Sequence, residues 1–156
     1  MQPAASFNSL HASNVAERDL TILLIEDDEI DVMNIRRAVE KLDLTCQLLV
    51  ASDGQDALQQ LREQSPEVLV RLVVVTDLNM PRMDGLSMMR ELRKDANLRR
   101  LPVVVLTTSD RPSDRLAAFD CNVAGYLVKP ERPAKLIEMV ERVYAYWSSS
   151  RFGFSA

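Results

Sequence analysis

The chain has two cysteines, one histidine and four glycines in 156 residues, and no unbroken apolar run of membrane-spanning length. Each shortage closes off a class of function. Cys46 and Cys121 lack C-x-x-C spacing, so neither a disulfide framework nor a zinc site is indicated, and both read as small buried hydrophobes. A membrane helix needs about 18 or more consecutive apolar residues. The longest candidates here are interrupted by Arg71 or Pro102, and no membrane partner is expected. Basic charge is also short: 19 Lys and Arg against 23 Asp and Glu give a net charge of -4, which argues against nucleic acid as a partner. The opening MQPAASFNSLHASNVAERD has neither the basic start nor the apolar block of a signal peptide, so a cytoplasmic location is the expectation. His11, the single histidine, falls in this polar arm and reads as solvated.

What the chain does have is 47% hydrophobic residues distributed in short, well-separated runs, enough for one domain with tails. Residues 1–19 form an arm, a short helix or a disordered lead; residues 20–147 form the domain; residues 148–156 form a tail. Within the domain, Thr21–Ile25, Gln47–Ala51, Leu72–Thr76, Pro102–Thr107 and Gly125–Val128 read as strands, each a continuous apolar run of the kind buried on both faces. Between and after them, Ile30–Leu42, the segment from Ala57 to about Ser65, Gly85–Lys94, Arg111–Asn122 and about Pro133–Trp147 repeat apolar residues at helical spacing. Five strands alternating with five helices predict an α/β fold: a doubly wound, five-stranded parallel sheet. Such sheets bind their ligands at the carboxyl ends of the strands.

The strand ends deliver a definite chemistry. The first ends in Glu26, Asp27 and Asp28, the third in Asp77, the fourth in Thr107 and Thr108, and the fifth in Lys129. Carboxylates gathered at one edge repel one another and call for a cation. With oxygen donors and no histidine or cysteine among them, that cation is a hard one, Mg²⁺. An ammonium and a hydroxyl facing the acids suit a phosphoryl group, and Asp77 is placed to act as the nucleophile that accepts it as a mixed anhydride. Metal and Lys129 would then neutralise the phosphoryl oxygens.

Taken together and in this order, IEDD, TDLNMPRMDG, LTTS and YLVKP resemble the receiver domain of two-component response regulators, over residues 20 to 147. The resemblance implies a (βα)5 flavodoxin-like receiver fold. It implies that Asp77 accepts the phosphoryl group, and that Glu26 and Asp27 hold Mg²⁺ together with Asp77 and the backbone carbonyl of Asn79. Asp27 would be the direct ligand and Glu26 would act through water, leaving Asp28 solvated near the start of the first helix. Thr107 would be the switch hydroxyl, Tyr126 the switch aromatic and Lys129 the phosphate-binding lysine, joined to Pro130 by a cis peptide bond. On phosphorylation, Thr107 and Tyr126 would move and alter the face made by the fourth helix, fifth strand and fifth helix.

No output domain is recognisable after the last helix, so the resemblance implies a single-domain response regulator: a signalling protein that catalyses its own phosphorylation and slow dephosphorylation, and not a conventional enzyme. Its phosphoryl donor would be a sensor histidine kinase. The PRMDG, LTTS and terminal YW segments resemble regulators associated with phytochrome-type kinases. Tyr144, Tyr146, Trp147, Phe152 and Phe154 place five of eight aromatics near the C-terminus, and a homodimer through the C-terminal helix is expected. The alternative is a degenerate receiver acting as a constitutive docking module. A metal-dependent phosphatase is disfavoured because Asn79 stands where a second acid is needed, and a flavodoxin-like carrier because acids replace the glycine-rich phosphate loop. Three further features carry simpler readings. Arg93, Lys94, Arg99 and Arg100 read as a solvated basic face, Met80, Met83, Met88 and Met89 as core or a partner groove, and Pro66–Val70 as an extended loop or a longer strand.

Overall fold

The structure is a computed structural model that describes residues 19–153. His11 and Phe154, and nearly all of the arm, lie outside the described residues. The strands are β1 (Leu20–Ile25), β2 (Cys46–Ala51), β3 (Leu72–Thr76), β4 (Val103–Thr107) and β5 (Gly125–Val128). The helices are α1 (Glu29–Lys41), α2 (Gly54–Glu63), α3 (Gly85–Lys94), α4 (Pro112–Asp120) and α5 (Pro133–Ser149). The segment Pro66–Leu69, read from sequence as a loop or strand extension, is one turn of helix started by its proline.

All strands pair in parallel, in the order β2-β1-β3-β4-β5. This is the flavodoxin-like order, with β1 and β3 at the centre where the direction of winding reverses. Both β1 and β3 are buried along their whole length, which is why they read as unbroken apolar runs. Alternate side chains nevertheless serve two different cores. Leu23, Ile25, Leu72, Val74, Val103 and Val105 join α2, α3 and α4 on one face. Leu20, Ile22, Leu24, Val73, Val75, Val104 and Leu106 join α1 and α5 on the other. Met88 and Met89 are fully buried and Met80 and Met83 pack on the same core, so the methionines are core residues.

The helices begin where polar side chains cap them. Asp28 accepts from the N–H groups of Ile30 and Asp31 to open α1, Asp53 from Gln55 and Asp56 to open α2, and Asp84 from Ser87 to open α3. Pro112 and Pro133 fill the first turns of α4 and α5, where no backbone donor is missed. Arg93 departs from the expected solvated face. Its guanidinium donates to the carbonyls of Cys121, Arg99, Leu101 and Asn122, tying the end of α3 to the approaches of β4 and β5. Burial holds its pKa below the usual arginine value. Cys121 is buried as expected, Cys46 is half-buried, and both thiols are free.

Candidate functional site

The backbone ladder continues one residue beyond the strands at the edge where the site lies. Glu26 N–H donates to Ala51, Asp77 N–H to Ile25 and Lys129 N–H to Thr107. Strand alternation therefore carries through these positions. Glu26, Asp77 and Lys129 continue the parity of Leu24, Val75 and Leu127, and project on the α1 and α5 side. Thr107 and Tyr126 share the opposite parity with Val105, which is paired in register with Tyr126.

On the α1 side the Lys129 ammonium donates to Glu26 Oε2 at 2.6 Å, Asp31 Oδ2 at 2.8 Å and Asp77 Oδ2 at 2.9 Å. Glu26 and Asp77 are buried. The second Asp77 oxygen, Oδ1, accepts from the N–H groups of Leu78 at 2.6 Å and Asn79 at 3.4 Å, which leaves Oδ2 facing the ammonium. Burial would lower the Lys129 pKa, but the hydrogen bonds to Asp31, Glu26 and Asp77 outweigh it, and the ammonium is held above the ordinary lysine value. Glu26 also shifts upward, which for a carboxylate favours the neutral form. Burial pushes its pKa up to about 7, against the pull of Lys129 and the Asp28 N–H. The two groups differ in balance: three carboxylate partners outweigh burial for Lys129, whereas for Glu26 burial outweighs its share of one ammonium.

Of the residues expected from sequence, the structure brings Glu26, Asp77 and Lys129 into direct contact and sets the backbone of Asn79 against Asp77. Asp27 is exposed on the turn after β1, and Asp28, expected to be solvated near the start of α1, is its cap. Asp31 was missed. It has no strand-end signal, and its approach depends on α1 packing back over the sheet. The Lys129–Pro130 bond is not cis: no cis peptide occurs among the described residues, and the bond keeps the isomer that X–Pro sequences favour by about 0.5–1 kcal/mol. Among the described residues no three acids, histidines or cysteines stand together in a metal-binding arrangement. The acids converge instead on the ammonium. The donor set is nonetheless all oxygen, with carboxylates from two neighbouring strands already sharing one cation, and this fits a hard divalent ion.

The loop from Asp77 to α3 is pinned from below. A Cβ on Gly85 would overlap the Asp77 carbonyl oxygen and stand 3.0 Å from Leu78 Cα, so only glycine admits this approach. Gly54 N–H donates to the Met83 carbonyl at 2.9 Å. Arg82 has a positive φ of 62°, which is rare for a long side chain, and its guanidinium pairs with the buried Asp53 carboxylate. Burial would raise the Asp53 pKa, but the Asp56 N–H, Arg82 and the Gln55 N–H together hold it below the ordinary value.

On the opposite side Thr107 is fully buried while Thr108 is exposed, and Thr107 Oγ1 accepts from Ser109 N–H at 3.3 Å. Tyr126 is half-buried, its ring lies on the core, and its hydroxyl donates to the Ser109 carbonyl at 2.8 Å. Burial raises its pKa. The two are thus linked through one residue of the β4–α4 loop.

The chain matches the family model described as "Response regulator receiver domain" over residues 22–141. It is 38% identical to "Probable methanogenesis regulatory protein FilR2" of Methanothrix harundinacea over 134 residues, covering 85% of this chain and 86% of that relative. Its identity to "Response regulator Rcp1" of Synechocystis is 31% over 131 residues, 81% of this chain and 87% of Rcp1. A solved Mn(2+)-bound form of Rcp1 superposes with a TM-score of 0.74 at 30% identity, covering 88% of this chain and 99% of that one. The phosphorylated cyanobacterial phytochrome response regulator RcpA superposes with a TM-score of 0.77 at 27% identity, covering 87% and 99% of the two chains. The matched span runs from the first central strand through most of α5 and takes in every strand-end residue named above, so the chain belongs to the response regulator receiver domain family.

Proposed function

We propose that this protein is a single-domain response regulator that accepts a phosphoryl group on Asp77 from a sensor histidine kinase and signals through a changed protein-interaction face. The observation that supports this reading most directly is the Lys129 ammonium 2.9 Å from Asp77 Oδ2 and 2.6 Å from Glu26 Oε2 at the carboxyl edge of the sheet. Asp77 Oδ2 attacks phosphorus, the phosphorus–nitrogen bond of the phosphohistidine breaks, and the imidazole leaves with the electron pair. Lys129 stays with the phosphoryl oxygens as their charge grows. Asp77, Asp27, the Asn79 carbonyl and, through water, Glu26 would hold a hard divalent cation, which supplies further neutralisation of the phosphoryl oxygens. The Mn(2+)-bound form of Rcp1 supports this choice. Slow loss of the phosphoryl group to water returns the protein to its starting state.

The likeness to Rcp1 and to the phytochrome response regulator RcpA supports a phytochrome-type kinase as donor. No helix among the described residues is long and apolar enough to cross a membrane. Thr107 and Tyr126 would pass the change to α4 and β5, since both engage Ser109 ahead of α4. That face already exposes Leu116 and Phe119 of α4, Val128 of β5 and Tyr146 of α5. Tyr144, Trp147 and Phe152 pack inward on the second core, so a homodimer through this end would rest on Tyr146 and the exposed side chains beside it.

The test is incubation with Mg²⁺ and acetyl phosphate, followed by intact mass and peptide mapping. One acid-stable, base-labile phosphoryl group on Asp77, absent in Asp77→Asn, is expected. A chain that stays unmodified is a docking module, and label on any other residue ends the proposal. Solution mass before and after phosphorylation tests the dimer.

A further inference from the structure

We propose that Asp31 is a positioning residue that keeps the Lys129 ammonium at Asp77 during phosphoryl transfer; this rests on the function proposed above. An ammonium has three N–H donors, and here each meets one carboxylate: Glu26, Asp31 and Asp77. Two of these partners are committed elsewhere once the reaction begins. Asp77 Oδ2 becomes the bridging oxygen of the acyl phosphate, and Glu26 belongs to the acids that face the divalent cation. Asp31 alone keeps its charge for Lys129 throughout.

Its position is set by features independent of the strand ends. Asp31 lies in the first turn of α1, where its own N–H donates to the capping carboxylate of Asp28 at 3.4 Å. Ile35 and Ala38, one and two turns on along the same stripe, are the buried residues that seat α1 on the sheet. The stripe that packs the helix therefore also aims Asp31 at the ammonium. The carboxylate is part-exposed, with 32% of its side chain accessible against 10% for Lys129, so it reaches inward from the rim. A lysine arm has four carbon–carbon torsions to restrain, and a second charged anchor beside the reacting oxygen reduces the freedom lost on reaching the transition state.

The experiment compares wild type, Asp31→Asn, Asp31→Glu, Lys129→Ala and the double variant Asp31→Asn/Lys129→Ala. The readouts are phosphorylation by acetyl phosphate at saturating Mg²⁺, Mn²⁺ affinity, thermal unfolding, and acetic anhydride labelling of lysines in metal-free protein. In the transfer, the Asp77 oxygen–phosphorus bond forms while the phosphorus–oxygen bond of acetyl phosphate breaks and acetate leaves with the electron pair. Loss of one charge-assisted hydrogen bond predicts that Asp31→Asn slows phosphorylation about 10-fold. Asp31→Glu should recover part of the rate. Lys129 should acetylate faster in Asp31→Asn while Lys94 and Lys135 do not change, and the double variant should match Lys129→Ala. Three results would each overturn the inference: an Asp31→Asn rate equal to wild type, a double variant slower than Lys129→Ala, or a Mn²⁺ affinity that falls in step with the rate. If wild type takes no phosphoryl group while Asp31→Asn still unmasks Lys129 to acetylation, the functional reading fails and the anchoring of Lys129 stands.

Discussion

The two faces of the sheet are packed to different standards. On the face covered by α2, α3 and α4, the helices contribute Ala57, Met88, Met89, Leu92 and Ala118 with no exposed surface at all. On the face covered by α1 and α5, only Ile35 and Ala38 of α1 are buried, and α5 contributes no fully buried residue. A cavity of about 40 Å³ remains there, lined by Ile22, Leu24, Ile35, Val75, Leu106 and Val140 among others. The tight face is the one that grips the loop after Asp77, through Gly85 and Gly54. The looser face carries the acids and Lys129 at its rim and supports α5, part of the proposed signalling surface. Rigid support for the proposed phosphoryl acceptor and slack under the proposed output helix are thus divided between opposite sides of one sheet.

The division predicts where truncation hurts most. Leu92→Ala opens a cavity on the tight face, and its cost is expected at about 2–5 kcal/mol in urea unfolding, as for fully enclosed leucines generally. A loss under about 1 kcal/mol would show that this face can collapse around a void, which tight packing forbids.

The rim of the looser face should respond to pH. Glu26 is buried with its pKa raised to about 7, so between about pH 4.5 and 7 the folded protein binds more protons than the unfolded chain. Stability of the metal-free protein should therefore fall as pH rises through that window, on the order of 2 kcal/mol in all, and level off above it. Lys129, raised above the lysine range, keeps its stabilising charge across the whole window and does not mask the slope. Excess Mg²⁺ should cancel the loss above pH 7, because the ion favours the ionised acid. Thermal unfolding from pH 4.5 to 8, with and without Mg²⁺, measures this, and Glu26→Gln should flatten the metal-free curve. A stability that rises through the window in metal-free protein would place Glu26 among ordinary ionised carboxylates.

Much of this arrangement was legible in the sequence because it depends on strands. An apolar run that ends in a carboxylate specifies both a buried strand and the edge to which the acid is delivered, which is how Glu26, Asp77 and Lys129 could be placed together before any coordinates. The caps at Asp28, Asp53 and Asp84 were not read from the sequence, where Asp28 was expected to be solvated and the second helix to be carried from Ala57. What could not be read depends on helices meeting partners far away in sequence. Asp31 and Lys129 are separated by 98 positions, and the carbonyls of Cys121 and Asn122 lie 28 and 29 positions from Arg93. Helical periodicity shows which stripe of α1 is apolar but not which strand end lies beneath its first turn. A charge run such as Arg93–Lys94 looks the same whether it faces water or staples two loops. The trans Lys129–Pro130 bond shows the opposite limit: the cis expectation came from the family resemblance, and the local preference of an X–Pro bond points the other way.

The contrast between faces can be sharpened with one added methylene. Val105 and Val140 differ in surroundings more than in chemistry: Val105 is fully enclosed beside Tyr126 in the tight core, while Val140 of α5 lines the cavity. Val105→Ile has no free volume to enter and must displace Tyr126 or α4, at about 1–3 kcal/mol. Val140→Ile should range from neutral to about 1 kcal/mol stabilising, since the new methyl group fills existing space. The sign of the difference is the discriminating quantity, because both substitutions add the same group and change the unfolded chain alike. Equal destabilisation at both sites would mean that α5 is seated as firmly as α3, and the slack assigned to the α5 side would have no structural basis.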